Sequence, residues 1–202
     1  PAADDAVRRR LPKVIARARS RRALDGLLAG LDDERFEVRF RCGRALAQLR
    51  ADTPELVIVP ERVHLAVLRE IAVERSVWEG QRIIEQDDTF TDFDLDGVVR
   101  ERASRSLSHV FTVLSLVLPR EPLQIAFRGL LAEDQHLRGT ALEYLETALP
   151  PLVREKLWPF LGDAPPRTRS VRNSDDVAAD LMRQRQSIAL SVEAVRRLRE
   201  SQ

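Results

Sequence analysis

The sequence contains few cysteines and glycines, the residues that form disulfides, thiolate metal sites and phosphate-binding loops. It has a single cysteine, Cys42, which excludes an intramolecular disulfide and a zinc site with several thiolate ligands. The eight glycines are not grouped into a phosphate-binding loop. The longest run without a charged residue, 106–119, has 14 residues and includes His109. It is shorter than the roughly 18 residues that a membrane-spanning helix needs, so no transmembrane segment is expected in this chain.

The overall charge is nearly balanced, but the charges are unevenly distributed. Residues 1–50 carry 13 basic and 7 acidic side chains, whereas residues 51–100 carry 5 basic and 12 acidic ones. The basic excess lies in a run without an intervening acid: Arg8, Arg9, Arg10, Lys13, Arg17, Arg19, Arg21 and Arg22. This basic patch can bind phosphates of anionic lipid or nucleic acid. It can equally be the solvated face of helices in an arginine-rich protein.

Apolar residues recur with helical spacing along most of the chain, and prolines separate the periodic segments. No segment alternates for long enough to form a core strand. The fold class is therefore predicted as all-α. The expected helical segments are 21–31, 35–49, 61–86, 95–118, a pair within 122–148, and 150–161.

Two stretches of the chain resemble each other at a displacement of 99 positions: residues 23–49 and 122–148. Each has an apolar helix, an acidic turn, and a second helix that opens with an apolar residue followed by arginine. The turn acids are Asp33 and Asp134, and the arginines are Arg39 and Arg138. We expect the aspartate to cap the second helix and the arginine to bind turn carbonyls or the aspartate of a neighbouring repeat. Both units resemble a HEAT repeat.

This resemblance implies an α-solenoid of stacked antiparallel helix pairs, because one pair cannot bury both of its faces. Residues 61–118 depart from the repeat length and are predicted to form one elongated helical hairpin. The expected organisation is a HEAT-like domain over 1–161, a linker over 162–173 and a C-terminal amphipathic helix over 174–202. We expect that helix to dock on its own chain or on a second copy.

A more particular resemblance rests on three stretches: 118–123 (LPREPL), 138–146 (RGTALEYLE) and 157–161 (LWPFL). They are similar to soluble HEAT tails that follow a membrane domain resembling ATP/ADP translocases of the major-facilitator kind in some bacterial proteins. The likeness implies that Pro1 follows a last membrane span. The chain is then expected to be a piece of a longer protein, located in the cytoplasm at the cytoplasmic face of the inner membrane.

No candidate site for chemistry is convincing in the sequence. Asp92, Asp94 and Asp96 match the start of a calcium-binding EF-hand loop, but Ala103 stands where the bidentate glutamate is required. Helix capping explains the same acids, so no metal site is predicted. The histidines, at positions 64, 109 and 136, have no partner at ligand spacing and are expected to be structural. Cys42 is expected to fill a gap between helices.

We therefore expect a non-enzymatic protein-interaction or scaffolding module without catalytic residues or cofactor, binding a protein partner. Its basic start is available for contact with anionic lipid. The alternative is a nucleic-acid-binding α-solenoid that uses the Arg-rich N-terminal helices. Aromatic residues are sparse there and acids follow, which disfavours nucleic acid.

Overall fold

The structure is a computed structural model that describes residues 10–86, 95–132, 134–161 and 173–183. The side chains of 75–86 and 95–103 are outside this description. Every regular element within the described ranges is helical, which confirms the all-α class. The chain divides into two compact units, Pro1–Leu118 and Pro119–Gln202.

The described part of the N-terminal unit contains five helices. They are α1 (10–16), α2 (Arg21–Gly30), α3 (Phe36–Asp52), α4 (Pro60–Gln86) and α5 (Leu95–Leu114). Ser20 begins α2, because its side chain accepts a hydrogen bond from the N–H of Ala23. Leu24 and Leu27 are fully buried on the apolar face of α2, which packs on α3. The helices therefore follow the apolar periodicity of the sequence.

The elongated pair consists of α4, with 27 residues, and α5, with 20 residues, and these two helices pack on each other. The expected extension of α5 to residue 118 is wrong, since the helix ends at Leu114. Beyond it, the N–H of Leu116 bonds to Val113 O and that of Val117 to Leu114 O. These tighter i to i−3 bonds end the helix ahead of Pro119.

The described part of the C-terminal unit contains α6 (Arg120–Leu130), α7 (Gln135–Ala148), α8 (Pro151–Leu157) and α9 (174–183). A 3₁₀ turn, Trp158–Phe160, follows α8, so the segment expected as one helix over 150–161 ends in a tighter turn around Pro159. Leu123, Leu145, Val177 and Leu181 are fully buried. The amphipathic start of the predicted C-terminal helix is thus packed within a single copy of the chain.

The predicted boundaries at 1–161, 162–173 and 174–202 stay predictions. Most of the expected linker, 162–172, and the last residues, 184–202, lie outside the described residues. Among the helices that are described, none is both long and apolar enough to span a membrane.

Candidate functional site

The N-terminal unit contains a buried polar cluster formed by Arg39, Glu70, Glu74, Ser106 and His109. Each of these residues is at most 3% exposed, which is rare for ionisable side chains. They come from three helices: arginine from α3, both glutamates from α4, and serine and histidine from α5. The cluster therefore joins the first repeat-like pair to the elongated pair through charge.

Arg39 uses all three guanidinium nitrogens in this cluster. Its Nε donates to Glu70 Oε2 at 2.5 Å, and its Nη2 donates to Glu70 Oε1 at 3.2 Å and Glu74 Oε1 at 3.1 Å. Its Nη1 donates to the carbonyl oxygens of Asp33 and Glu34, both at 3.0 Å. The bidentate pair with Glu70 is the geometry that favours arginine over lysine. The expectation that Arg39 binds turn carbonyls is met, and its acidic partners are glutamates.

The turn acid Asp33 does not cap α3 in the expected way. Its Oδ1 accepts from the N–H of Arg35 at 2.8 Å, and Arg35 occupies the N-cap position without a side-chain capping bond. The Arg39 side chain instead crosses the turn and satisfies its carbonyls. The charged group that stabilises this turn is thus the Arg39 guanidinium, which belongs to α3.

The second repeat-like pair follows the sequence prediction more closely. Asp134 is the N-cap of α7 and accepts from the N–H groups of His136 at 2.9 Å and Leu137 at 3.2 Å. Arg138 donates from Nη1 to Leu130 O and from Nη2 to Leu161 O, the latter at 2.9 Å. Arg138 therefore connects the end of α6 to the segment after α8.

His109 is held as a neutral imidazole in the buried polar cluster. Its Nε2 lies 4.0 Å from Glu70 Oε2, and its ring meets the Phe36 ring edge-on at 6.0 Å between centroids. Burial, followed by the charge of Arg39, lowers the pKa of His109 to about 3. A Cβ at Gly43 would lie 2.7 Å from His109 Cε1, so α3 and α5 approach this closely because position 43 is glycine.

The lowered pKa of His109 predicts a pH-dependent stability. Between the ordinary value of 6.5 and about 3, the unfolded chain binds a proton at His109 that the folded chain excludes. The unfolding free energy should therefore fall with decreasing pH, by on the order of 1 kcal/mol per pH unit from this group. Urea unfolding at several pH values measures the slope. His109→Gln should flatten it and His64→Gln should not; equal slopes in all three proteins would contradict the assignment.

A second polar feature of the N-terminal unit is open to solvent. A groove of about 710 Å³ lies between α1, the turn after α1, and α3. The cationic side chains that line it are Lys13, Arg17, Arg19, Arg41 and Arg44, and the other lining residues are Ala16, Ala45, Gln48 and Asp52. We call it the basic groove. Five cations and one acid give its lining a strong positive excess, suited to an anion.

The cations of the basic groove differ in how they are already paired. Arg41 Nε binds Glu37 at 2.8 Å. Partial burial raises the pKa of Glu37, but the hydrogen bonds from Arg105 and Arg41 outweigh it and lower the pKa below its usual value. Arg44 stacks over the Phe40 ring at 5.9 Å. Within the described chain, no carboxylate pairs with Lys13, Arg17 or Arg44. These three cations are therefore available to a ligand.

Arg19 and Asp52 form an ion pair in the lining of the basic groove. Arg19 Nη2 and Asp52 Oδ2 are 3.5 Å apart, and the two side chains are 63% and 34% exposed. Gln48 Nε2 donates to the other oxygen of Asp52 at 2.7 Å. Arg19 has φ of +45°, a left-handed conformation in which glycine is usual after a helix. The ion pair is therefore weak and exposed, and one of its two residues, Arg19, has a strained backbone conformation.

The basic patch predicted from the sequence is divided by the fold. Arg8 and Arg9 lie outside the described residues, and Arg10 and Arg22 are exposed away from the groove lining. Arg21 leaves the groove because its Nε binds Asp25 at 3.0 Å and its Nη1 donates to Val57 O at 3.2 Å. Lys13, Arg17 and Arg19 remain in the groove lining. Arg41 and Arg44, which complete the groove, were missed because they lie on α3, outside the basic run.

The other candidates from the sequence are placed as follows. Asp92 and Asp94 lie outside the described residues, and Asp96 is in α5 without a described side chain. Among the described residues, no group of three or more His, Cys, Asp or Glu side chains is arranged so that it could hold a metal ion. Cys42 is buried, and burial together with the charge of Asp33 raises the pKa of its thiol to about 11, which makes it a poor nucleophile.

The N-terminal unit also exposes an apolar stripe on α4, which is another surface that a partner could bind. Leu65 is 62% exposed and Val73 is 51% exposed, and the eight-residue spacing places them on one side of the helix. This α4 stripe carries Arg69 between them, which binds Asp32 at 3.3 Å. It therefore offers apolar area but little free charge.

Comparison of the chain with protein-family models, with curated proteins and with solved structures gives no match in any of the three. Geometry and charge therefore distinguish the two candidate sites of the N-terminal unit. The buried polar cluster is inaccessible and internally paired, whereas the basic groove is accessible and carries available charge.

Proposed function

We propose that the chain is a non-enzymatic protein-interaction module that binds an anionic segment of a partner protein in the basic groove. The observation that carries this proposal is the availability of Lys13, Arg17 and Arg44 in an open groove between α1 and α3. Charged groups arranged on helices give a partner a fixed pattern to match. The buried polar cluster acts as the support of this surface, because it fixes α3 against α4 and α5.

The proposed architecture is a HEAT-like α-solenoid of stacked antiparallel helix pairs. Support comes from the arginine that each repeat-like pair uses at its turn. Arg39 binds turn carbonyls between α2 and α3, and Arg138, near the start of α7, binds the carbonyl of Leu130, the last residue of α6. Repeat folds of this kind present extended surfaces that bind protein segments.

We place the module in the cytoplasm, as an appendage of a larger membrane protein at the inner membrane. This part of the proposal rests on the similarity of 118–123, 138–146 and 157–161 to the HEAT tails of translocase-like proteins. The reading frame upstream of Pro1 tests it. A series of hydrophobic spans is expected there, and an upstream region without any would contradict the appendage.

The second candidate function is nucleic-acid binding, which the same five cations favour. The basic groove lacks what single strands use for affinity, since none of its lining residues is aromatic. A protein segment is therefore the better match.

A binding panel separates these candidates. Oligo-glutamate, a single-stranded oligonucleotide of equal charge, and phosphatidylglycerol vesicles are titrated against the full chain at low and physiological salt. Arg17→Glu combined with Arg44→Glu should weaken oligo-glutamate binding by about tenfold or more. The control, Arg22→Glu with Arg120→Glu, changes the same net charge at exposed sites outside the groove and should have a much smaller effect.

The outcomes of the panel are distinct. Stronger binding of the oligonucleotide, lost in the groove variant, would replace the protein partner by nucleic acid. Binding of vesicles alone would indicate a lipid surface. Equal weakening in the groove variant and the control would show that net charge acts without the groove, and would overturn the proposal.

A further inference from the structure

We infer that the basic groove binds a short acidic peptide segment, and that one carboxylate of this segment replaces Asp52 on Arg19. The inference rests on the proposed function and adds the chemistry of the ligand and an internal competitor. Asp52 is the competitor, because its carboxylate already pairs with Arg19, one of the cations that line the groove.

The arrangement of the cations favours a chain of carboxylates over a single phosphate. Lys13 lies in α1 and Arg17 in the turn after it, while Arg41, Arg44 and Gln48 follow each other along α3. At 1.5 Å per residue, the α3 positions alone extend over about 10 Å. A single phosphate would contact only part of this row. A peptide with several acidic residues can reach all of it.

The existing ion pairs also favour carboxylates. Arg41 binds the carboxylate of Glu37, and Arg19 binds that of Asp52. The guanidinium fork matches the planar carboxylate, whereas lysine acts as a point charge. Two of the lining arginines thus already bind the chemical group that the ligand would supply.

Arg19 and Asp52 each occupy a position that local structure disfavours. Arg19 takes a left-handed conformation that costs an L-residue free energy, and glycine would avoid this cost. Asp52 is the last residue of α3, where the helix dipole repels a negative charge. Both residues meet in one ion pair at the groove. Exceptions to local preference that coincide at a surface are characteristic of functional positions.

The pair is weak enough to be exchanged. Its atoms are 3.5 Å apart and both side chains are accessible to water, so an incoming carboxylate can replace Asp52 without unfolding α3. Arg19 is paired with one carboxylate both before and after the exchange. The Asp52 carboxylate, however, loses its partner and is left in solvent. Binding is therefore weaker than it would be without the competitor.

The test compares two substitutions that each remove one negative charge. Asp52→Asn should tighten binding of oligo-glutamate by about threefold. Glu55→Gln, three residues away and exposed, is the matched control and should change it by much less. Arg19→Gly should weaken binding, and in the Arg19→Gly background Asp52→Asn should lose its effect. Titration calorimetry at fixed ionic strength measures all four, with inorganic phosphate as a competitor.

Each result bears on one level of the proposal. If oligo-glutamate binds in the groove but Asp52→Asn and Glu55→Gln have equal effects, the competition is overturned and the interaction module remains. If inorganic phosphate displaces the peptide at equal concentration, the ligand is a single phosphate and the acidic-segment inference is wrong. If oligo-glutamate does not bind the wild-type chain, the proposed function fails as well.

Discussion

Arg39→Ala should lower the free energy of unfolding by about 3–5 kcal/mol, the range observed when one partner of a buried ion pair is removed. The substitution leaves Glu70 and Glu74 in a buried site without the guanidinium that binds both of them. It also removes the donor to the carbonyls of Asp33 and Glu34. The loss should therefore exceed that of an ordinary surface arginine severalfold.

Urea unfolding of the full chain measures the effect of Arg39→Ala. Arg22→Ala is the matched control, since Arg22 is exposed on α2 and should contribute less than about 0.5 kcal/mol. Replacing Arg39, Glu70 and Glu74 together by methionine and leucines should recover part of the loss, because no buried charge is then stranded. Equal midpoints for Arg39→Ala and Arg22→Ala would show that the cluster does not hold the unit together.

Leu181→Ala should lower the free energy of unfolding by about 2–4 kcal/mol, because Leu181 is fully buried and its truncation leaves a cavity. Val177, one turn earlier in α9, is fully buried as well. Burial, followed by the charge of Asp175 in α9, raises the pKa of Tyr144 in α7 to about 12. The C-terminal helix should therefore contribute to the stability of its unit in a single copy of the chain.

This second effect can be assigned to the C-terminal unit by fluorescence. The chain has two tryptophans, and in a Trp78→Phe background Trp158 reports on the C-terminal unit. Leu131→Ala is the control, since Leu131 is 62% exposed. If Leu181→Ala and Leu131→Ala unfold at the same urea concentration, α9 does not dock on the folded unit. A midpoint that depends on protein concentration would indicate docking on a second copy.

The helices could be predicted from the sequence because their signals are local. Ser20 and Asp134 cap helices within three residues of themselves, and apolar spacing marks the buried faces of α2 and α6. The predicted end of α5 lies four residues beyond the observed end. Apolar residues continue to Leu118, whereas the backbone already forms a turn after Leu114. The spacing of apolar residues therefore does not indicate the residue at which a helix ends and a turn begins.

The acidic partners of Arg39 could not be predicted, because they lie 31 and 35 residues further along the chain. The expected acid is the aspartate of a neighbouring repeat, whereas the acids that Arg39 binds are two glutamates of α4. One signal was present: Glu70 and Glu74 are four residues apart on a helix and therefore face the same side, among apolar neighbours. Two acids on an apolar face indicate a buried cation, but they do not say which one.

The basic groove was predicted in part. The acid-free run from Arg8 to Arg22 identified Lys13, Arg17 and Arg19, because a local excess of charge is visible in the sequence. The contributions of Arg41 and Arg44 depend on how α3 lies beside α1, which is a matter of tertiary packing. The left-handed backbone conformation of Arg19 could not be predicted from the sequence, because glycine is the residue that usually indicates this conformation after a helix.

The most direct test of the central claim is to map the binding of oligo-glutamate on the full chain by amide chemical-shift changes. We expect the changes to concentrate at residues 13–19 and 41–52, which carry the lining of the basic groove. The α4 stripe, with Leu65 and Val73 exposed, should remain unchanged. Changes centred on the α4 stripe, or spread over all exposed arginines without preference for the groove, would contradict the account.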